Sequence, residues 1–459
     1  CQFKVGFMKS GVINALELVY YDDGGAFYDS VVGTMDMALT TADNAYYFAN
    51  YSASGVCCRT NLPPNTSMRA PGCFPSIYFV EKIVERCAFE LQMDPNDVRQ
   101  TNFYNDPSQG LPIQKTPYGT PIIYNSLPAV WSQIQQTSDY ASRLQAVQLF
   151  NQQNRWRKRG ISLVPIKYGI EWIGGTYSVS VNVYPDGTIL ISHGGTEVGQ
   201  GINTKVAQVL AYELGVDISL ITVGSNDTQK AANSLCTGGS ITSELCAKGV
   251  IDCAVQLKKR LEPLKAVVAD KTWTGVVAVA AASGVDLQAH AWTYPIPPVT
   301  GGGFQYNTYG TSVAEVELDV LTGEIQIVRC DILYDCGQSL NPAIDIGQAV
   351  GGFLTGVGYF LTEELVYDKT GKLTSNGTWE YKPPSVKDIP IDLRIDLLKN
   401  ASCPLGVLGS KASGEPPLCL SVSIYFAATY AIYAARAEID NTAFFSLAQP
   451  CTVDQLQQT

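Results

Sequence analysis

An α+β fold of mixed sheets, hairpins and packed helices is the architecture this sequence predicts. Three observations carry that reading. Two stretches of period-two alternation turn back on themselves across tight turns, and several longer segments place apolar residues at helical spacing. The two kinds of segment do not alternate strictly, which separates the pattern from a parallel α/β sheet. With 459 residues, 46% of them apolar, the chain is long enough to bury two or three cores.

In chain order, the first strand signal runs from Gly11 to Tyr21, where Val12, Asn14, Leu16 and Leu18 alternate with Ile13, Ala15 and Glu17. A helix is expected from Ile77 to Leu91: Phe79, Val80, Ile83, Val84, Cys87 and Leu91 form its apolar stripe, and Glu81, Lys82, Glu85 and Arg86 cover the other side. A shorter helix follows Asp94-Pro95. Residues 105–128, rich in Pro, Gly, Gln and Asn, mark a connection between domains. Trp131 to Arg159 reads as helical, with Arg155, Arg157, Lys158 and Arg159 in its last turn, where the helix dipole favours cations.

Beyond Gly160 the signals are mixed. Tyr177 to Ile191 forms one hairpin around Pro185-Asp186-Gly187, and Glu315 to Cys330 forms another around Thr322-Gly323. Helices are expected at Ile202–Leu214, Ser243–Leu261, Pro342–Leu361 and Leu418–Arg436. The last contains the uncharged run Leu418 to Ala435, whose Ser421, Ser423, Thr429 and tyrosines suit a buried helix better than a membrane span.

A formal net charge of −11 argues against nucleic-acid and anionic-membrane partners, both of which bind through basic surfaces. A small-molecule substrate fits better. The chain opens at Cys1 without a leader pattern and reads as a fragment. Its thirteen cysteines, scattered except for Cys57-Cys58, show neither Cys-x-x-Cys nor zinc-type spacing. Reduced, mostly buried thiols in a cytoplasmic protein are expected, without zinc or iron–sulfur ligation.

The strongest functional signal is the turn Gly194-Gly195-Thr196-Glu197-Val198-Gly199-Gln200-Gly201, between a strand ending at His193 and a helix from Ile202. Glycines let backbone approach a ligand closely, and the free N–H groups of a helix start favour an anion such as phosphate. The loop lacks the third glycine of a dinucleotide fingerprint and the ending of a P-loop. Three further small-residue corners lead into helices: Arg69-Ala70-Pro71-Gly72, Thr237-Gly238-Gly239-Ser240, and Gly347-Gln348 with Gly351-Gly352. Singly, each is also an ordinary tight turn. Jointly, their amides with Gln200, Gln348, Ser240 and Thr242 could cage a large polar ligand, such as a pterin-like ring with a pyrophosphate-like group.

Glu415 stands on a stiff corner, Gly414-Glu415-Pro416-Pro417-Leu418, ahead of the uncharged run. Two readings are open: a general base whose pKa is raised by desolvation, or a cap on the Leu418 helix. A glycosidase-like pairing of Glu197 with Glu415 leaves the glycine turns unexplained.

These motifs resemble the aldehyde oxidase/xanthine dehydrogenase family. The likeness is carried by the Arg69 corner, the Gly194 loop, the run Leu340-Asn341-Pro342-Ala343-Ile344-Asp345-Ile346-Gly347-Gln348 and the run Ala412-Ser413-Gly414-Glu415-Pro416-Pro417-Leu418, in that family's order over nearly the whole chain. The resemblance implies a molybdenum cofactor (molybdopterin) contacted by Arg69, Gly199, Gln200, Gly201, Gly238, Gly239, Ser240, Thr242 and Gln348. The metal is then held by dithiolene sulfurs of the cofactor and by no side chain. Glu415 matches the catalytic base of an oxidation that takes its oxygen from water and passes hydride to a Mo=S group. His193 is expected to be structural.

The resemblance also implies an organisation. Residues 1–115 match the C-terminal part of a first molybdopterin-binding domain, 116–159 a helical connection, and 160–459 a second molybdopterin-binding domain. FAD and 2Fe-2S clusters belong to parts upstream of this chain, so the fragment alone is expected to be inactive, and the full-length protein is expected to be a homodimer. Purine-hydroxylating members use an arginine and two phenylalanines to orient and stack the purine; the matching positions here are Met37, Pro71 and Trp172, and Ile173 stands where they carry a hydroxyl. Without the charged anchor and one stacking face, the expected substrate is an apolar aldehyde. A purine hydroxylase and an inactive truncated paralogue are the alternatives.

Overall fold

The computed structural model describes residues 1–172, 175–294 and 303–459. Its first sheet has the order β1-β2-β3, from β1 (Gln2–Phe7), β2 (Ile13–Gly25) and β3 (Asn50–Arg59). The first pair is antiparallel. β3 runs parallel to β2, because α1 (Val31–Thr41) and the loop after it carry the chain back across the sheet. Ile13, Leu16, Leu18 and Tyr20 of β2 then meet Val80, Ile83 and Val84 of α2 (Cys73–Leu91), which α3 (Pro95–Thr101) follows.

The stretch read as one helix over 131–159 is two helices and the start of a strand. α4 (Leu127–Thr137) and α5 (Tyr140–Gln153) are separated at Asp139, which takes a positive φ of 55°. By Arg157 the chain is already in β4 (Arg157–Ile170), drawn there by antiparallel pairing along the whole of β9 (Tyr306–Asp319). The expectation that the basic cluster ends a helix is therefore corrected. Its cations meet acids from distant elements instead: Arg157 pairs with Glu317, Arg159 with Glu315 and Glu317, and Lys158 with Glu438.

β4 and β9 belong to a second sheet of order β11-β10-β9-β4, completed by β10 (Ile325–Asp335) and β11 (Asp392–Leu397). Val130, Trp131 and Ile134 of α4 and Val147 of α5 cover one side through Ile161, Leu163 and Val313. The other side carries α11 (Val422–Ala437), which follows the short α10 (Pro416–Cys419). Here glycine decides the spacing: a Cβ at Gly160 of β4 would lie 1.9 Å from the Ala427 carbonyl oxygen, so strand and helix backbones touch. The segment Pro416–Ala437 is long and apolar enough to cross a membrane, yet 78% of its most apolar window is buried in the protein.

The third sheet, β7-β6-β5-β8, contains the first predicted hairpin, β5 (Tyr177–Val183) and β6 (Ile189–His193), with β7 (Ile221–Val223) and β8 (Gln288–Thr293). α6 (Ile202–Leu214), α7 (Thr242–Val267) and α8 (Trp273–Ala282) accompany it, and α9 (Pro342–Leu361) and α12 (Val453–Gln458) lie further along the chain. α7 outruns the expected end at Leu261 and continues through Pro263, because Leu261 and Leu264 still pack on the core beyond the missing N–H. All thirteen cysteines are free, nine of them buried. The predicted α+β class, with mixed sheets, hairpins and packed helices, is what the chain adopts. Side chains from the second and third sheets, α7, α9 and α11 share one large core, at whose edge the N-terminal ends of α7, α9 and α10 meet.

Candidate active site

Glu415 holds the N-cap position of α10 but makes no capping bond. The next two residues explain this. Pro416 and Pro417 have no N–H to cap, and the Leu418 amide already donates to the Glu415 carbonyl at 3.0 Å. The carboxylate instead turns toward three donors from other parts of the chain: the Ala70 amide at 3.4 Å, the Tyr168 hydroxyl at 3.3 Å and the Ser240 hydroxyl at 3.1 Å. The Glu415 amide donates back to Ser240 Oγ at 2.9 Å. Burial pushes the carboxyl above its ordinary range, while Ser240, Ala70, Tyr168 and the nearby Arg69 cation pull the other way.

Arg69 fastens the segments around this carboxylate. Its Nε donates to the Gly414 carbonyl at 2.6 Å, and its Nη2 reaches both the backbone and side-chain oxygens of Gln348 at 3.1 Å. Gln348 then donates to the Gly199 carbonyl at 3.0 Å, which brings in the glycine loop. Two corners of low sequence complexity and one helix start thus become a single frame.

Within the loop, the expected free amides at the start of α6 are already occupied. Glu197 accepts from the amides of Gly199 and Gly201 at 3.1 and 2.9 Å, and from that of Asn203 at 3.4 Å. This corrects the reading of the α6 start as a site for an external anion: the loop supplies its own carboxylate, and Glu197 has no pairing with Glu415 to offer. Gln200 likewise turns onto its own loop, donating to the Thr196 carbonyl and accepting from the Val198 amide. His193 is fully buried; its Nδ1 accepts the Gly195 amide and Nε2 faces Asn203 Oδ1 at 2.9 Å. Burial holds its pKa below the usual histidine range, so a neutral ring braces the loop.

A cavity of about 370 Å³ lies between these segments. Arg69, Gln200, Gln348 and Glu415 line it, as do Gly238, Gly239, Ser240 and Thr242 at the entry to α7. Gly199 and Gly201 stand behind it in the loop. Met37, on α1, and Pro71 are not among its walls; nor is Trp172, which is buried and donates its indole N–H to Glu244 Oε2 at 2.9 Å. Ile173 lies outside the described residues. Lys205, Glu244 and Lys411 also line the cavity, and no motif singled them out. Lys205 stands one helical turn beyond Gly201, a spacing that could have found it. Tyr168 lies in a strand buried almost end to end, where nothing local marks a functional hydroxyl.

Two family models describing a molybdopterin cofactor-binding domain match the chain, one over residues 1–103 and one over residues 133–390. The chain belongs to this molybdopterin cofactor-binding family. Among its relatives, the xanthine dehydrogenase of Dictyostelium discoideum is 37% identical and aldehyde oxidase 1 of Bos taurus 36% identical, each over 99% of the chain. The alignment takes in 34% of each relative, so the chain spans about a third of the length of these curated relatives. Among solved structures, quinoline 2-oxidoreductase from Pseudomonas putida superposes with a TM-score of 0.85 at 19% identity, covering 99% of this chain and 61% of that one. The aldehyde oxidoreductase from Desulfovibrio desulfuricans gives 0.81 at 23% identity, with 98% and 47% covered. The fold is shared at both levels of likeness.

The walls suit a molybdopterin. Among the described residues, the Gly239 and Ser240 amides donate to no protein acceptor, and a Cβ at Gly238 would meet nothing within 4 Å, so this corner has room beside two unpaired backbone donors. Ser240 keeps a positive φ of 59°, which presents its hydroxyl to Glu415 at the same corner. Lys205 also lines the cavity, with its ammonium 2.9 Å from the buried Asp345 carboxylate. Polar donors and acceptors, unpaired amides and the cations of Arg69, Lys205 and Lys411 match a polar ring system bearing a phosphate.

Proposed function

We propose that this chain is the cofactor-bearing catalytic region of a molybdenum hydroxylase that oxidises aldehydes to carboxylic acids. Aldehyde and water give the acid, two electrons and two protons. The observation that carries the reading is the aim of Glu415: a desolvated carboxylate turned away from its own helix and held by three donors beside a cavity of molybdopterin-binding character. When bound, the molybdenum cofactor supplies the acceptor for the electron pair. Glu415 accepts a proton from the water whose oxygen enters the product, and burial raises its basicity for this step. Ser240, Tyr168 and Ala70 fix the direction of the carboxylate, and Arg69 holds its segment against Gln348. The unpaired amides at Gly239 and Ser240 and the Lys205 ammonium would hold the cofactor.

An aldehyde is favoured by the resemblance alone, which places Met37, Pro71 and Trp172, none of them a cation, where purine-hydroxylating members anchor and stack the purine; none of the three lines the cavity. The xanthine dehydrogenases among the relatives favour a purine instead. The reading extends to a cytoplasmic homodimer whose FAD and 2Fe-2S clusters lie outside this chain.

Glu415→Gln is expected to leave molybdenum content unchanged and to lower turnover by about 10²- to 10⁴-fold, the usual worth of a positioned base. Turnover at the wild-type rate removes Glu415 from that role. Rates with an aromatic aldehyde and with xanthine, measured side by side, decide the substrate; preference for xanthine overturns the aldehyde assignment. Absence of molybdenum from protein made with cofactor supply intact would favour an inactive paralogue.

A further inference from the structure

Glu244 takes no part in the chemistry above, yet it is a second buried carboxylate on the same cavity. It lies in the first turn of α7 and is 7% exposed. Its two oxygens receive donors from opposite sides. Oε2 takes the Trp172 indole N–H at 2.9 Å, and Oε1 takes the Tyr306 hydroxyl at 2.5 Å. The same tyrosine oxygen accepts the Ala412 amide at 2.9 Å. Ala412 stands three residues before Glu415 on the strip that Arg69 grips at Gly414.

We propose that Glu244 is a positioning residue for Glu415: anchored by Trp172, it sets the Tyr306 hydroxyl, which holds the Ala412 amide and with it the strip that aims the base. The inference rests on the reading of Glu415 as that base.

The chemistry of the two donors makes the chain directional. An indole N–H can only donate, and an ionised carboxylate can only accept, so in the ionised form Trp172 fixes Oε2 and leaves Oε1 for Tyr306. With its hydrogen committed to Glu244, the tyrosine oxygen presents lone pairs to Ala412. Burial pushes Glu244 up to about 7, and Tyr306, Trp172 and Lys205 oppose it. The other residues of the strip are held by groups outside this relay. The Lys411 amide reaches the Cys336 carbonyl, and Ser413 donates to Asp345. Within this strip the Ala412 amide is the one tied to Glu244.

Glutamine at 244 separates the two arms. Its single acceptor oxygen goes to the indole, which has no alternative, and its NH₂ then confronts Tyr306, whose oxygen must now serve two donors. The test is hydrogen exchange by mass spectrometry on peptides covering residues 410–416 of the holoenzyme, alongside steady-state kinetics. Glu244→Gln and Tyr306→Phe are each expected to speed exchange at Ala412 by about tenfold, the equivalent of one hydrogen bond. Both are expected to lower kcat with KM within about twofold, and the double variant to be no slower than the slower single one. Trp172→Phe removes the anchor of Oε2 but keeps the Tyr306 arm, and is expected to speed Ala412 exchange by less than either of those variants. Wild-type exchange in both Glu244→Gln and Tyr306→Phe overturns the inference, as does a kcat loss that adds in the double variant. Exchange does not depend on turnover, so this failure is distinct from an active Glu415→Gln, which would remove the base itself.

Discussion

Ser240→Gly is expected to move the acid limb of the kcat/KM profile to higher pH. Residue 240 has a φ of 59°, which glycine adopts without strain, so the turn into α7 keeps its shape. What disappears is the hydroxyl, together with its 3.1 Å bond to Glu415 Oε2 and its acceptance of the Glu415 amide at 2.9 Å. A hydrogen bond to a charged group is worth about 1.5–3 kcal/mol. Because that bond favours the ionised carboxylate, its loss raises the carboxyl pKa, and kcat/KM on the acid limb falls by about 10- to 100-fold, the equivalent of that energy, with water entering the space setting the lower figure. Burial already holds Glu415 above its ordinary range and Ser240 opposes burial, so the shift adds to the existing one. The base works ionised, so activity falls as pH drops through this pKa, and the fall now begins at higher pH. The assay is kcat/KM with an aromatic aldehyde between about pH 5 and 9, where the ionisation of the free enzyme is read. An acid limb that stays in place, or moves down, refutes the assignment of Ser240 as the hydroxyl that holds the ionised base.

Arg99→Met should strongly destabilise the fold. It leaves Glu81, which is fully buried, and Glu85 without the cation 2.9 and 2.5 Å away, at a cost of about 3–5 kcal/mol in urea denaturation; an unchanged midpoint contradicts this. Gly160→Ala forces a Cβ into contact with the Ala427 carbonyl and Ala431 amide of α11, neither of which can rotate away. A loss of about 1–3 kcal/mol or more is expected in thermal unfolding, and a wild-type melting temperature would mean that β4 and α11 can separate freely.

The hairpin at Tyr177–Ile191 and the helices Ile202–Leu214 and Pro342–Leu361 were legible because their signals are local. Alternating faces, a four-residue helical spacing and a Gly201 or Asn341-Pro342 boundary all act within one or two turns of chain. The start of β4 was not legible. Arg155 to Arg159 look helical in isolation, and only pairing of Arg157 with Asp319, more than 160 residues later, makes them strand. The glycine loop was readable as a close-approach turn, but not that its helix start is filled from within, because a carboxylate two residues from Gly199 gives no sign of which way it turns.

What the sequence determined by itself was the kind of element at most positions and the order of its motifs, and through them the molybdopterin-binding family. The direction of Glu415 was decided by tertiary structure alone. Its donors Ala70, Tyr168 and Ser240 lie 345, 247 and 175 residues away along the chain. Hydrogen bonds across such separations exist only after the sheets and helix ends have packed, and a carboxylate between two rival uses takes the one whose donors packing delivers.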